Sequence, residues 1–241
     1  MSNFFGSQSE SSISGLGSRV EIRPLMRQVY LWMTTGLLVT AAVSIGVATS
    51  PAIQEVAYNP PVLIGAIIAE LALVIALSWG LRRMSPGVAI AMFFVYAALN
   101  GLTLSLIFFA YSLGSISAAF FTTAGLFGAM TVVGFTTQVD LSKYSSYFMM
   151  GLIGLVIAMV VNMFLGSGPL DFVISLVGVV LFTALTAYDT QKIKNMAADP
   201  TIEADGSLSM KLSIMGALTL YLDFINLFLF LVRLFGGGSR D

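Results

Sequence analysis

Four charged side chains interrupt or end segments that are otherwise apolar enough to cross a membrane: Glu70, Asp189, Asp223 and Arg233. A charge inside a bilayer is costly, so such a residue normally faces a partner or a water-filled cavity. The stretch 221–233, YLDFINLFLFLVR, holds two of the four. Other parts of the chain must therefore supply partners for these charges.

The composition is that of a polytopic membrane protein. Of 241 residues, 57% are hydrophobic and 10% are charged, against about 25% charged in soluble domains, and the mean hydropathy is +0.93. The net charge of −1 offers no basic surface for nucleic acid. The absence of cysteine excludes disulfides and thiol chemistry. With no histidine either, a pH response must come from buried carboxyl groups, and we expect no tightly bound cofactor.

The hydropathy pattern predicts an all-α fold with seven transmembrane helices in a domain covering residues 19–236. A span needs about 20 apolar residues. The predicted spans are 29–49, 62–81, 87–111, 116–137, 146–165, 170–189 and 212–234. A Ser/Gly-rich tail at 1–18 is expected to be disordered. The last two spans are separated by a predicted polar loop at 190–210, and a short tail at 237–241 follows the last span.

The distribution of Lys and Arg predicts a cytoplasmic N-terminus and an outer C-terminus in the cell inner (plasma) membrane. The segments assigned to the inside hold nine basic residues: Arg19, Arg23, Arg27, Arg82, Arg83, Lys143, Lys192, Lys194 and Lys211. The outer loops between spans 1–2, 3–4 and 5–6 hold none, as the positive-inside rule requires. Arg233 and Arg240 run against the rule. Either Arg233 is an internal ion-pair partner, or span 7 is re-entrant and both termini lie inside.

Span 7 carries its polar residues on one face. At 100° per residue, Gly216, Thr219, Asp223, Asn226 and Arg233 fall within about a quarter turn. Small and polar residues on one side of a membrane helix indicate that this side packs against protein or water. The last helix is therefore predicted to be central in the bundle.

Matching the charges by depth predicts two pairs. Asp189 and Asp223 are expected to approach each other and share one proton, because two carboxylates in a low-dielectric site do not both ionise cheaply. Arg82 or Arg83 is positioned to compete for one carboxylate. On the outer half, Arg233 is expected to pair with Glu70.

Simpler interpretations of these residues remain open. Asp189 could be interfacial and solvated, and Glu70 could be a protonated, purely structural donor. Arg82 and Arg83 could be positive-inside anchors. Asn100 is interpreted as part of a helix-packing face, and Asp171 as an interfacial residue or helix cap.

Three segments resemble the Bax inhibitor-1 family, also called the transmembrane Bax inhibitor motif family, in its bacterial branch. They are YAALNGLTLS (96–105), LTAYDTQKIK (185–194) and LYLDFINLFLFLVRLFG (220–236). The resemblance implies seven helices with the last surrounded by the other six, and a pH-sensitive calcium leak. Ca²⁺ and H⁺ are therefore the expected partners, together with the lipid bilayer.

The resemblance also assigns roles to residues. It implies that Asp189 and Asp223 form a pH sensor and a weak Ca²⁺ site, since Ca²⁺ favours carboxylate oxygens. It implies that Glu70 locks to Arg233, and that a helix-2 arginine can take over from the first aspartate. Arg82 is the closer match for that latch, with Arg83 as the alternative.

Two other functions compete with the leak. Paired membrane aspartates are typical of intramembrane aspartyl proteases, but the second aspartate here lies in Tyr221-Leu222-Asp223 rather than Gly-x-Gly-Asp. We therefore expect no enzyme activity. The other alternative is a non-transporting regulator that binds another membrane protein, such as a membrane protease.

Overall fold

A computed structural model describes residues 24–81, 83–199 and 205–237, called the described residues below. The predictions for the 1–18 tail, for Arg82 and for most of the 237–241 tail lie outside these ranges. Within them the chain forms helices joined by turns, and no strand occurs.

Seven long helices follow one another in the described part of the chain. They are α1 (Pro24–Thr49), α2 (Pro60–Gly80), α3 (Pro86–Leu104), α4 (Leu113–Thr136), α5 (Ser145–Leu165), α6 (Gly168–Ala197) and α7 (Gly206–Gly236). A short helix at Ile107–Ala110 completes the third span, and others lie at Pro51–Ala57 and Leu141–Tyr144. By length and composition these elements give seven spans able to cross a membrane. The predicted all-α fold with seven transmembrane helices is confirmed.

Local capping explains where several helices begin and end. The hydroxyl of Ser85 accepts a hydrogen bond from Val88 N at the start of α3, and Asp205 accepts two backbone N–H bonds at the start of α7. These side chains satisfy amide groups that have no partner within the helix. Helix α5 ends at Leu165 and is capped by Gly166, whose φ of 60° lies in the left-handed region that glycine adopts without strain.

The last two spans are longer than their apolar cores predict. Helix α6 continues to Ala197 rather than ending at Asp189, and α7 begins at Gly206 rather than residue 212. Polar side chains in the extension bind the end of α4 and the connection that follows it. Gln191 Nε2 donates to Val139 O at 2.8 Å, and Lys194 Nζ donates to Phe135 O at 2.7 Å. Asp189 therefore lies inside a helix, not at the start of a loop.

Helix α7 is the most buried span. Of the residues in its most apolar stretch, 72% are buried inside the protein, against 6–39% in the corresponding stretches of the other six spans. Its main contacts are with α1, α3, α4 and α6, whereas α2 packs chiefly on α3 and α5 chiefly on α6. That all six other helices surround the last one stays a prediction.

Two glycines allow helix backbones to touch. A Cβ at Gly134 of α4 would lie 2.5 Å from the carbonyl oxygen of Ala187 on α6. A Cβ at Gly101 of α3 would lie 2.6 Å from the carbonyl oxygen of Thr40 on α1. Close contact through small residues is how membrane helices pack tightly. The contact at Gly134 fixes the part of α6 that carries Asp189.

Candidate functional site

The structure brings Asp189 and Asp223 together. Asp223 lies near the middle of α7 and is 4% exposed, and Asp189 on α6 is 8% exposed. Their carboxyl groups face each other within hydrogen-bonding range. Ionised carboxylates only accept hydrogen bonds, so a hydrogen bond between the two would need a proton on one of them. Asp223 Oδ2 is buried and accepts no hydrogen bond from a described residue.

A cation lies close to Asp189, and a cavity opens beside the neighbouring turns of α6. Lys192, almost one turn further along α6, acts electrostatically on Asp189, and its Nζ lies 5.8 Å from the centre of the Tyr188 ring. The side chains of Lys192 and Tyr188 line a cavity of about 380 Å³ at the C-terminal end of α6. Its other lining residues are Ser142, Gln191, Asn195, Met196 and Asp199. The turns of α6 on either side of Asp189 thus adjoin this cavity, although neither aspartate lines it.

Hydroxyl groups from three helices gather around Thr190, the residue that follows Asp189 in α6. Tyr30 of α1 lies near Thr131 of α4 and near Thr190 of α6. All three oxygens are buried, and none makes a hydrogen bond of good geometry within the described residues. Buried polar groups normally have a partner or a bound water. Sequence reasoning missed this group, because isolated Tyr and Thr residues are common in membrane helices.

Glu70 and Arg233 make no ion pair with each other in this structure. Thr103 Oγ1 of α3 donates a hydrogen bond to Glu70 Oε1 at 2.9 Å. The Arg233 guanidinium lies 5.6 Å from the centre of the Phe230 ring and borders a cavity that also contains Asp171. The cause is the helix arrangement: α2 packs on α3, whereas α7 packs on four other helices.

Of the two arginines predicted to bind an aspartate, the one that the structure describes does not do so. Arg83 is exposed, and its side chain contacts neither aspartate. Arg82, the closer match by resemblance, lies outside the described residues. The described residues also contain no group of three or more acidic side chains that could hold a metal ion, so the aspartates stand as a pair.

Comparison with known proteins identifies the family. The family model described as "Inhibitor of apoptosis-promoting Bax1" matches residues 22–240. The inner membrane protein YbhL of Escherichia coli (strain K12) is 51% identical over 219 residues, covering 90% of this chain and 93% of the relative. A protein of Deinococcus radiodurans is 45% identical over 223 residues, covering 92% and 93%.

This chain belongs to the Bax inhibitor-1 family. The family model covers nearly the whole chain, so it includes Asp189, Asp223, Glu70 and Arg233. The name of the Escherichia coli relative places that protein in the inner membrane. The seven spans of the present chain agree with a location in a membrane.

A second polar network holds the opposite side of α7 in this Bax inhibitor-1 family protein. The Tyr221 hydroxyl donates to Asn100 Oδ1 of α3 at 3.0 Å and contacts Thr40 Oγ1 of α1 at 2.6 Å. Thr40 also donates to the carbonyl oxygen of Ala97 at 2.8 Å. Tyr221 and Asp223 lie about 200° apart around the helix. Helix α7 is therefore tied to α6 by a carboxyl pair and to α1 and α3 by neutral hydroxyls.

The network changes the interpretation of Asn100. The sequence suggested only a packing face, but Asn100 is 8% exposed and accepts the Tyr221 bond in the protein interior. Asn100 also interacts with Glu70, so the network extends from α1 to the acid on α2. An amide in a stripe of small residues was the available indication, and its partner could not be read from sequence.

We predict that Tyr221→Phe lowers thermal stability. The substitution leaves Asn100 and Thr40 without their buried partner, at a cost of about 1–3 kcal/mol. The melting temperature of the purified protein in detergent should fall by about 2–8 °C. Tyr96→Phe is the control, because the Tyr96 ring lies 5.6 Å from Tyr221 but its hydroxyl makes no hydrogen bond with a described residue. Equal losses in the two variants would contradict the prediction.

Proposed function

We propose that this protein is a pH-sensitive calcium leak of the inner membrane, gated by the Asp189–Asp223 pair. One observation carries the proposal: two buried carboxyl groups on α6 and α7 contact each other. With one proton between them, the pair holds the two helices together in a closed state. Loss of that proton leaves two like charges in contact, which favours separation of the helices.

The size of the repulsion is sufficient to control a gate. Two unit charges about 3 Å apart repel by roughly 5 kcal/mol at an effective dielectric constant of about 20. A change of that size shifts a two-state equilibrium by more than a thousandfold. The proton stabilises the closed state at low pH, and the stabilisation is lost as pH rises. The leak should therefore increase with pH.

Few other groups are available to sense pH between 6 and 8. The chain has no histidine. In the loop before α5, hydrogen bonds from the hydroxyl and the backbone N–H of Ser142 hold the pKa of Asp140 below its ordinary value. Asp140 is then ionised throughout this range and does not change state. Lys192 faces Asp189 and supplies a positive charge that can stabilise the pair after the proton leaves.

The two aspartates form a weak Ca²⁺ site once they separate, and the arginines and Glu70 act in another conformation. Separated carboxylates offer the hard oxygen ligands that Ca²⁺ prefers, and two carboxylates alone bind it loosely enough to release it. In the proposed cycle Arg82 or Arg83 binds the freed aspartate. Following the family resemblance, Glu70 and Arg233 form an ion pair in a conformation other than the one described.

Calcium flux into proteoliposomes tests the proposal directly. Purified protein is reconstituted with an internal Ca²⁺ indicator, and uptake is measured from pH 6 to 8 with equal pH on both sides. We expect uptake above that of empty liposomes, increasing with pH. Absence of uptake at every pH would reject the leak and favour the alternative, a non-transporting regulator of another membrane protein.

A further inference from the structure

A small polar cavity lies at the end of the bundle where α5 ends and α6 begins. Its volume is about 210 Å³, and it is lined by Met159, Asn162, Met163, Asp171, Ile174 and Arg233. Arg233 and Asp171 are both half-buried. Neither makes an ion pair with the other or with another described residue. The cavity thus presents one positive and one negative group, each without an ion-pair partner among the described residues.

Arg233 and Asn162, the two side chains in the cavity that can donate hydrogen bonds to a phosphate, are each positioned by contacts with other residues. The Arg233 guanidinium lies over the Phe230 ring. That ring stacks on Phe182 at 5.8 Å and fits where Gly178 has no Cβ, which would lie 2.6 Å from it. Asn162 Oδ1 accepts a hydrogen bond from Ser167 N at 3.1 Å, so its amide N–H groups remain available as donors.

The surface around the cavity is apolar and exposed. Met163, Phe164, Leu165 and Phe172 are 72%, 80%, 65% and 59% exposed. In a bundle of membrane-spanning helices, such residues at a helix end lie at the boundary between acyl chains and headgroups. A molecule in the cavity would therefore have its apolar part in lipid and its charged part between Arg233 and Asp171.

We propose that this cavity binds the headgroup of a phospholipid that carries a primary ammonium, such as phosphatidylethanolamine. Arg233 and Asn162 donate hydrogen bonds to the phosphate, for which a guanidinium is well suited. The ammonium donates to the Asp171 carboxylate. Phosphatidylglycerol supplies the phosphate without the cation, and the quaternary ammonium of phosphatidylcholine has no N–H to donate. Charge complementarity therefore selects the ethanolamine headgroup.

Lipid binding to the delipidated, full-length protein tests this site. Native mass spectrometry would measure binding of dioleoyl phosphatidylethanolamine and dioleoyl phosphatidylglycerol, which share their acyl chains. We expect the wild type to prefer the ethanolamine lipid by about threefold to fivefold, as partly exposed ion pairs are modest. Asp171→Asn should reduce this preference to about one, and Asp171→Lys should reverse it. Arg233→Gln should weaken binding of both lipids.

Matched controls lie at the opposite end of the bundle. Asp140→Asn and Lys143→Gln remove the same kinds of charge next to the start of α5, and both should keep the wild-type preference. A wild type that binds both lipids equally would overturn the proposal, as would a preference that survives Asp171→Lys. The measurement reports lipid binding rather than calcium flux, so its outcome is independent of the proposed leak.

Discussion

Calcium flux through the Asp223→Asn variant should stay low and change by less than about twofold between pH 6 and 8. Asparagine cannot ionise, but its amide can donate a hydrogen bond to Asp189 at any pH. The contact between α6 and α7 therefore survives without a proton, and the repulsion that favours opening never develops. We expect the wild type to increase at least tenfold over the same range, because even 1.4 kcal/mol of the repulsion gives that factor.

The companion variants make this result specific to the pair. Asp189→Asn should have the same effect, and the double variant should add little, because both substitutions remove one shared interaction. Glu55→Gln is the matched control: Glu55 is exposed on the short helix Pro51–Ala57, away from the pair. If Asp223→Asn and Asp189→Asn both retain the wild-type pH profile, the pH sensor lies elsewhere in the protein.

Gly134→Leu should be among the most destabilising single substitutions in the chain. A side chain at this position enters the backbone of α6 at Ala187, and Thr190 Cβ lies only 2.8 Å from the new Cβ. Overpacking typically costs about 1–3 kcal/mol, and a clash with backbone lies at the upper end of that range, so the melting temperature in detergent should fall by about 6–12 °C. The displaced part of α6 carries Asp189, so the calcium flux at pH 6 should also increase.

A second glycine of the same helix provides the control. Gly125 of α4 has no atom within 4 Å of an added Cβ and is exposed at the surface of the bundle. Gly125→Leu should therefore leave the melting temperature within about 2 °C of the wild type, since glycine to leucine slightly favours a helix. Equal melting temperatures for the two leucine variants would show that α4 and α6 do not touch at Gly134.

The sequence predicted features that depend on local composition. Apolar segments of about 20 residues have few soluble alternatives, so the seven spans are recognisable without a structure. Charges inside such segments are costly, which is why Asp223 and Asp189 were found from residue type and depth alone. The ends of α6 and α7 were less predictable. Gln191 and Lys194 resemble loop residues until their partners at the end of α4 and on the connection after it are known.

Only the tertiary structure decided which polar side chains meet. Depth arguments paired Glu70 with Arg233, but α2 packs on α3, so Glu70 accepts a bond from Thr103 instead. The Tyr221–Asn100 contact and the unpaired Asp171 and Arg233 likewise depend on which helices are neighbours and how each is rotated. Hydropathy fixes how deep a residue lies in the membrane, whereas neighbour order and rotation are set by close packing between distant segments.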